Sequence, residues 1–220
     1  MNAPVSPNEL WRSRLDVPNY LIRDAARYAH ISSGTVGRWH KNTTLPSRAE
    51  GKQLSYLELI ELAVVAAWRK SGMKFDAIRN ARTYLAAQFN EPHPFATLRL
   101  KTDGVDLLMD HGDEFLVANL KGQIAWRQCI SEKLQEFDYE SGLASRWRLD
   151  GAGSPVLIDP RIQFGAPSVN GVPTWILAAR HKAGEAIASI ADDFGLPAST
   201  IAHALIFEGA TPDDVEAWSH

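Results

Sequence analysis

The stretch "YLIRDAARYAHISSGTVGRWHK", Tyr20 to Lys41, sets two short helical patterns on either side of the break "HIS". Ile22, Ala25, Ala26 and Ala29 mark the first helix, and Thr35, Val36 and Trp39 mark the second. Ser32 or Ser33 can cap the second helix, its oxygen accepting a free backbone N–H of the first turn. Val36 and Trp39 suit a buried side, while Ser32, Ser33, Thr35, Arg38, His40 and Lys41 suit an exposed one. A docked helix with short polar and basic residues on its exposed N-terminal face has what the major groove of DNA requires. Spacing alone leaves an ordinary packing unit open as an equal alternative. Arg38 suits either a bidentate pair with guanine or the neutralisation of a phosphate, and the sequence does not choose. Arg23, Arg27, Arg48 and Lys52 are flanking phosphate candidates.

Outward from this stretch, residues 1–19 are polar and punctuated by Pro4, Pro7 and Pro18. They read as a flexible arm with a short helix around Leu10 to Leu15. Lys41 to Gln53 is a polar, turn-forming loop. "LSYLELIELAVVAAWRKSG" has Ser55 as a cap, Leu57, Ile60, Val64 and Ala67 on one face, and Gly72 as its stop. "FDAIRNARTYLAAQF" continues with Phe75, Ile78, Arg82, Leu85 and Phe89 at helical spacing.

After "EPHPF" the pattern changes. "TLRLKTDGVDLLMD" alternates around Asp103-Gly104, which predicts a hairpin because both turn positions need positive φ. "EFLVANLKGQIAW" predicts a second hairpin turning near Lys121-Gly122, followed by a short helix from Cys129 to Leu134. Leu149 to Pro155, "LDGAGSP", reads as a flexible joint. Beyond it come the strand "VLIDP", the turn-rich "FGAPSVNGVPTW", a helix from Ile176 to Phe194 broken near Gly184, and a helix from Ala198 to Glu208. That last pair has helix-turn-helix spacing, with Ile187, Ile190, Ala191 and Phe194 facing Leu196, Ile201, Ala204 and Leu205. No repeat is evident in the sequence.

The net charge of −3 conceals an asymmetry. Residues 1–93 carry 13 Lys+Arg against 8 Asp+Glu, and residues 94–220 carry 10 against 18. The basic part suits phosphate and the acidic part suits a basic protein surface. The one cysteine, Cys129, lacks a catalytic motif and reads as a small core residue in a reducing compartment. With no apolar run of about 20 residues and no signal segment at "MNAPVSPNELWRSR", the chain is expected to be cytoplasmic. The seven histidines have no metal spacing, and no cofactor motif occurs. The pairs Asp192/Asp193 and Asp213/Asp214 are adjacent, point in different directions on a helix and make a poor acid/base pair. The chain is therefore not expected to be an enzyme.

Two resemblances extend this reading. Tyr20 through Leu85 resembles the DNA-binding end of MerR-like regulators. The tyrosine opens the first helix, "ISSGTVGRWHK" stands where that family has its capped recognition helix, and a wing-like loop and a supporting helix pair follow. One departure is that the chain runs into a β-rich stretch and not into a dimerising coiled coil. Val156 to Glu208 resembles a small bacterial domain of antitoxins in VapBC-like systems, whose toxins are PIN-like ribonucleases. The matching residues are Asp159-Pro160, Phe164-Gly165, Pro167, Gly171, Ala183-Gly184-Glu185, Ile190-Ala191, Asp193-Phe194-Gly195-Leu196, Ile201 and Ala204-Leu205. "NGVPT" departs from the family by lacking a Gly-Thr-Arg stretch.

Together these resemblances imply a long VapB-type antitoxin that neutralises a PIN-like toxin and represses its own operon. The expected class is α+β, with a MerR-like winged helix-turn-helix, a central β-hairpin section, and a C-terminal strand with a helix-turn-helix-like pair. The expected divisions are 1–19, 20–93, 94–150 and 151–220. Operator DNA, the toxin and a second copy in a homodimer are the expected partners. The acidic Asp192, Asp193, Glu208, Asp213, Asp214 and Glu216 would face the cationic toxin, with Trp175, Phe207 and Trp218 as buried anchors. The alternatives are a helix-turn-helix regulator without a toxin and a protein-interaction adaptor.

Overall fold

The computed structural model describes residues 7–41, 53–110 and 120–211. They form an α+β structure of two compact units, residues 1–145 and 146–220, and the division falls inside one strand.

The first unit is built around α4 (Tyr56–Lys70). Ser55 Oγ accepts from the Glu58 N–H at 3.2 Å, and the Ser55 N–H donates to Glu58 Oε2 at 2.7 Å. This reciprocal cap starts the helix where the sequence placed it. Leu59, Ile60, Leu62, Val65 and Trp68 are all buried, so α4 is apolar around most of its circumference and runs through the centre. Around it pack α1 (Pro7–Leu15), α2 (Ile22–Tyr28), α5 (Phe75–Phe89), a short turn at Pro94–Ala96 and α7 (Leu120–Leu134). Trp11 and Leu15 are buried, so α1 is anchored to this core and residues 7–15 are not a loose arm.

Glu61 is fully buried on α4. It accepts from Arg82 Nε at 2.9 Å and from the Phe95 N–H at 3.3 Å. His93 Nδ1 lies 3.7 Å away. An unpaired carboxylate there would cost several kcal/mol; with these partners it fastens α5 and the Pro94–Ala96 turn to the central helix.

The expected hairpin at Asp103-Gly104 is not formed. The chain is helical there, passing through a wide π turn, Leu100–Gly104, into α6 (Val105–Asp110). Leu100, Gly104 and Leu108 are buried at a spacing of four, a helical stripe that the alternation around "KTDG" conceals. A Cβ at Gly104 would come within 3.1 Å of Leu100 Cδ1 and 3.2 Å of Phe89 Cζ. Gly104 therefore serves close packing and not a reverse turn. The second expected hairpin fails too, because α7 carries Lys121 and Gly122 inside a helix; the hairpin's residues 114–119 lie outside the described segments. Among its described residues, the central section is therefore mainly helical as far as Leu134.

Strands begin later, with β3 (Phe137–Glu140) and β4 (Leu143–Arg148) around Ser141 (φ 51°) and Gly142 (φ 84°). These two positive φ values suit a tight hairpin, and "ESGL" was the signal for it.

In the second unit, β4 continues as Trp147 and Arg148, which pair antiparallel with Ile158 and Leu157 of β5 (Leu157–Ile158). Then follow β6 (Ser168–Val169) and β7 (Val172–Pro173), giving the strand order β3-β4-β5-β6-β7. Asn170 (φ 47°) and Gly171 (φ 83°) turn the β6–β7 hairpin inside the stretch read as a connection. The expected joint at 149–155 is instead a loop within this unit, closed by the Leu149 N–H donating to the Val156 carbonyl at 2.9 Å, with both residues buried. Three helices cover the sheet's end: α8 (Thr174–Lys182), α9 (Ile187–Phe194) and α10 (Ala198–Phe207). Leu177, Ile187, Ile190, Ile201, Ala204 and Leu205 form their common core.

Candidate nucleic-acid and partner surfaces

In the first unit, α2 ends at Ala29, and His30 adopts φ 53°. The Ile31 N–H reaches back to the Ala26 carbonyl at 2.9 Å, closing the helix end and reversing the chain. The helix α3 (Ser33–Lys41) starts at once. Of the two candidate caps, Ser32 takes the role: its hydroxyl accepts from the Thr35 N–H at 3.2 Å and lies 2.8 Å from Thr35 Oγ1. Val36 and Trp39 are buried, and the Trp39 ring meets Phe75 edge-on at 5.3 Å. One side of α3 is thereby docked.

The other side carries Ser32, Ser33 and Arg38, all exposed, and the half-buried Thr35. Arg38 Nη2 is 3.5 Å from Thr35 Oγ1, so Ser32, Thr35 and Arg38 form one contiguous polar strip. A strip headed by a guanidinium is suited to an acceptor-rich partner such as a guanine edge or a phosphate. On α2, the exposed Arg23 lies 3.4 Å from Asp24, and the exposed Arg27 guanidinium lies over the Tyr28 ring at 5.3 Å. His40 and Lys41 belong to the backbone of α3, and Arg48 lies outside the described residues. The strands β1 (Tyr20–Leu21) and β2 (Gln53–Leu54) pair antiparallel and join the start of α2 to the approach to α4.

In the second unit, Trp175 stands 59% exposed in the first turn of α8. Asp192 and Asp193 follow each other on α9, both exposed, but among the described residues only Asp193 is held by a side chain, accepting from Arg180 Nη2 at 2.5 Å. Arg180 Nε also donates to Glu185 Oε2 at 2.6 Å. Phe207 is half-buried at the end of α10, and Asp213, Asp214 and Trp218 lie outside the described residues. Two exposed apolar side chains were missed in the sequence, Phe164 (80%) and Ile206 (45%). Phe164 has φ 54°, a backbone state that a motif of residue types does not announce.

Asp159 of the "DPR" segment is buried and structural. Its carboxylate accepts from Arg146 Nε at 2.9 Å, and from Arg161 Nε at 2.9 Å and Nη2 at 2.8 Å. Burial opposes its ionisation, but the hydrogen bonds from the Arg161 side chain and N–H and from Arg146 outweigh burial and hold it below the usual carboxylate range. Among the described residues, no group of three His, Cys, Asp or Glu side chains could hold a metal ion, and no helix is long and apolar enough to cross a membrane.

No family model matches the chain. It is 26% identical over 226 residues to "Putative antitoxin VapB45" of Mycobacterium tuberculosis (strain ATCC 25618 / H37Rv), covering 87% of this chain and 94% of that protein. This chain is similar to a VapB-type antitoxin. The crystal structure of Rv2018 from Mycobacterium tuberculosis matches with a TM-score of 0.73 and 25% identity, over 87% of this chain and 99% of the other.

Proposed function

We propose that the protein is the antitoxin of a type II, VapBC-like system, which neutralises a PIN-like ribonuclease and represses its own operon. The observation that carries this reading is the likeness to VapB45, which spans nearly the whole of both chains and so includes both units. The DNA part is supported by the α2–α3 pair, read as a helix-turn-helix whose α3 enters the major groove. Its inner residues Val36 and Trp39 are buried, and its outer strip of Ser32, Thr35 and Arg38 offers donors. His40 and Lys41 extend the groove face, and Arg23, Arg27, Arg48 and Lys52 supply flanking contacts to phosphate. A homodimer in the cytoplasm would read a palindromic operator.

The toxin part is assigned to residues 151–220. Trp175 gives an exposed aromatic anchor, and Asp192 gives a carboxylate with no internal partner among the described residues. Asp193, tied to Arg180, is a weaker candidate than its neighbour. Phe207, Asp213, Asp214 and Trp218 complete the surface proposed for a cationic ribonuclease face.

Two experiments test the halves separately. Pull-down from the native host followed by mass determination should recover a small PIN-like protein with the full chain and not with a chain ending at residue 150. Retention by the truncated chain refutes the toxin assignment. Titration of DNA from upstream of the gene at several salt concentrations should show sequence-specific binding, with Arg38→Ala weakened by about 1–3 kcal/mol. Equal, sequence-independent binding by both proteins refutes reading through α3.

A further inference from the structure

A cleft of about 500 Å³ opens in the first unit behind the α2–α3 turn, within the range of small-molecule sites. Its floor is apolar. Ala63, Ala66 and Ala67 of α4 lie at the i, i+3, i+4 spacing of one helix face, and each leaves out the volume a leucine would fill. Ile31 and the Trp39 ring close the side nearest α3. The opposite wall is α7, where the Cys129 thiol donates to the Ala67 carbonyl at 3.6 Å. An occupant would thus touch the turn, α3, α4 and α7 at once.

The charges around the mouth differ in how far they are already engaged. Lys133 Nζ lies 2.6 Å from Glu136, and Glu132 accepts from Gln128 Nε2 at 2.9 Å. Arg69 donates to the Met73 carbonyl and lies 4.3 Å over the Phe75 ring. Lys70, exposed at the end of α4, has no hydrogen-bond or ion-pair partner among the described residues, and its charge reaches the Cys129 thiol. Among the described residues, the cleft therefore combines an alanine floor, an aromatic side and one uncommitted cation, Lys70, at the rim.

We propose that this cleft is a ligand site for a small monoanion with a flat apolar body, of the aromatic carboxylate class. The carboxylate meets Lys70, and the ring lies on Ala63, Ala66 and Ala67 against Trp39. The ligand binds non-covalently, since burial, aided by Glu132, pushes the Cys129 thiol up and away from the reactive thiolate.

The test is calorimetric titration of the full chain, without DNA, using 2-naphthoate and its neutral counterpart 2-naphthamide as probes. This keeps the outcome independent of operator reading. One saturable site with a Kd on the order of 1 mM or tighter is expected for naphthoate. Lys70→Gln, a surface change that leaves folding intact, should weaken naphthoate about fivefold and leave naphthamide unchanged. Ala67→Leu should fill the hollow and abolish both, with its thermal melt checked alongside. Absence of saturation overturns the proposal, and so does an equal naphthoate affinity in the wild type and Lys70→Gln.

Discussion

The pairs α2–α3 and α9–α10 turn the chain with the same bonds. Ile31 N–H to Ala26 carbonyl and Leu196 N–H to Ala191 carbonyl are both 2.9 Å. Thr35 N–H to Ser32 carbonyl and Thr200 N–H to Pro197 carbonyl are both 2.9 Å, and Val36 to Ser32 and Ile201 to Pro197 are both 3.2 Å. His30 and Gly195 occupy the same left-handed position, and Val36 and Ile201 are each fully buried. The outer residues diverge: Arg27 corresponds to Asp192 and Arg38 to His203. Local geometry is thus one property and partner choice another. The same scaffold carries the exposed Arg27 and Arg38 in one unit and the exposed Asp192 and Ile206 in the other, a charge pattern that favours phosphate in the first case and disfavours it in the second.

The largest effect that separates the two units is expected at Asp159. Asp159→Ala leaves Arg146 and Arg161 without their shared carboxylate and should cost about 3 kcal/mol, read as loss of stability in the second unit by chemical unfolding. Because its folded-state carboxyl is depressed, this contribution is complete above the unfolded value of about 4 and is lost as pH falls through the folded value. The second unit should therefore weaken on acidification below about pH 4, and Asp159→Asn should flatten that dependence.

Next comes the contrast in partners. Arg38→Ala should weaken operator binding by about 1–3 kcal/mol with the melting temperature unchanged, while His203→Ala at the matching place should leave operator binding alone. A loss on His203→Ala would break the division of labour between the pairs.

The matching turn positions should respond with opposite signs. Gly195→Ala puts a Cβ into a left-handed conformation (φ 61°) and should cost about 1 kcal/mol. His30→Gly relieves the same conformation and should gain a few tenths to 1 kcal/mol. The smallest effect is at Gly37, where a new Cβ meets nothing within 4 Å. Gly37→Ala should stabilise α3 by about 0.5–1 kcal/mol in thermal melts.

The sequence was legible where local chemistry decides. Ser55 and Glu58 announced the start of α4, and the break near Gly184 and the start after Pro197 placed α8 to α10. It misled where a residue type serves two purposes. Gly104 looked like a turn and is a close-packing contact with Phe89 and Leu100, which requires knowing that two distant helices meet. Conversely, His30 turns the chain without being a glycine, because the bonds around it impose the conformation. On the candidate surfaces, the Ser32–Thr35–Arg38 strip followed from helical spacing. The pairing of Asp193 with Arg180 did not, since it joins two helices across an intervening turn.

The two-residue ladder of β1 and β2, Tyr20 with Leu54 and Leu21 with Gln53, brings the chain back to its own starting point. Leu21 and Gln53, on either side of the α2–α3 pair in sequence, are thereby held about 5 Å apart. Such a segment is a cassette in the engineering sense. Another helix pair with matching ends and the buried faces of Ala25, Ala26, Val36 and Trp39 could be inserted there, changing the exposed strip while the helical frame behind it keeps its order.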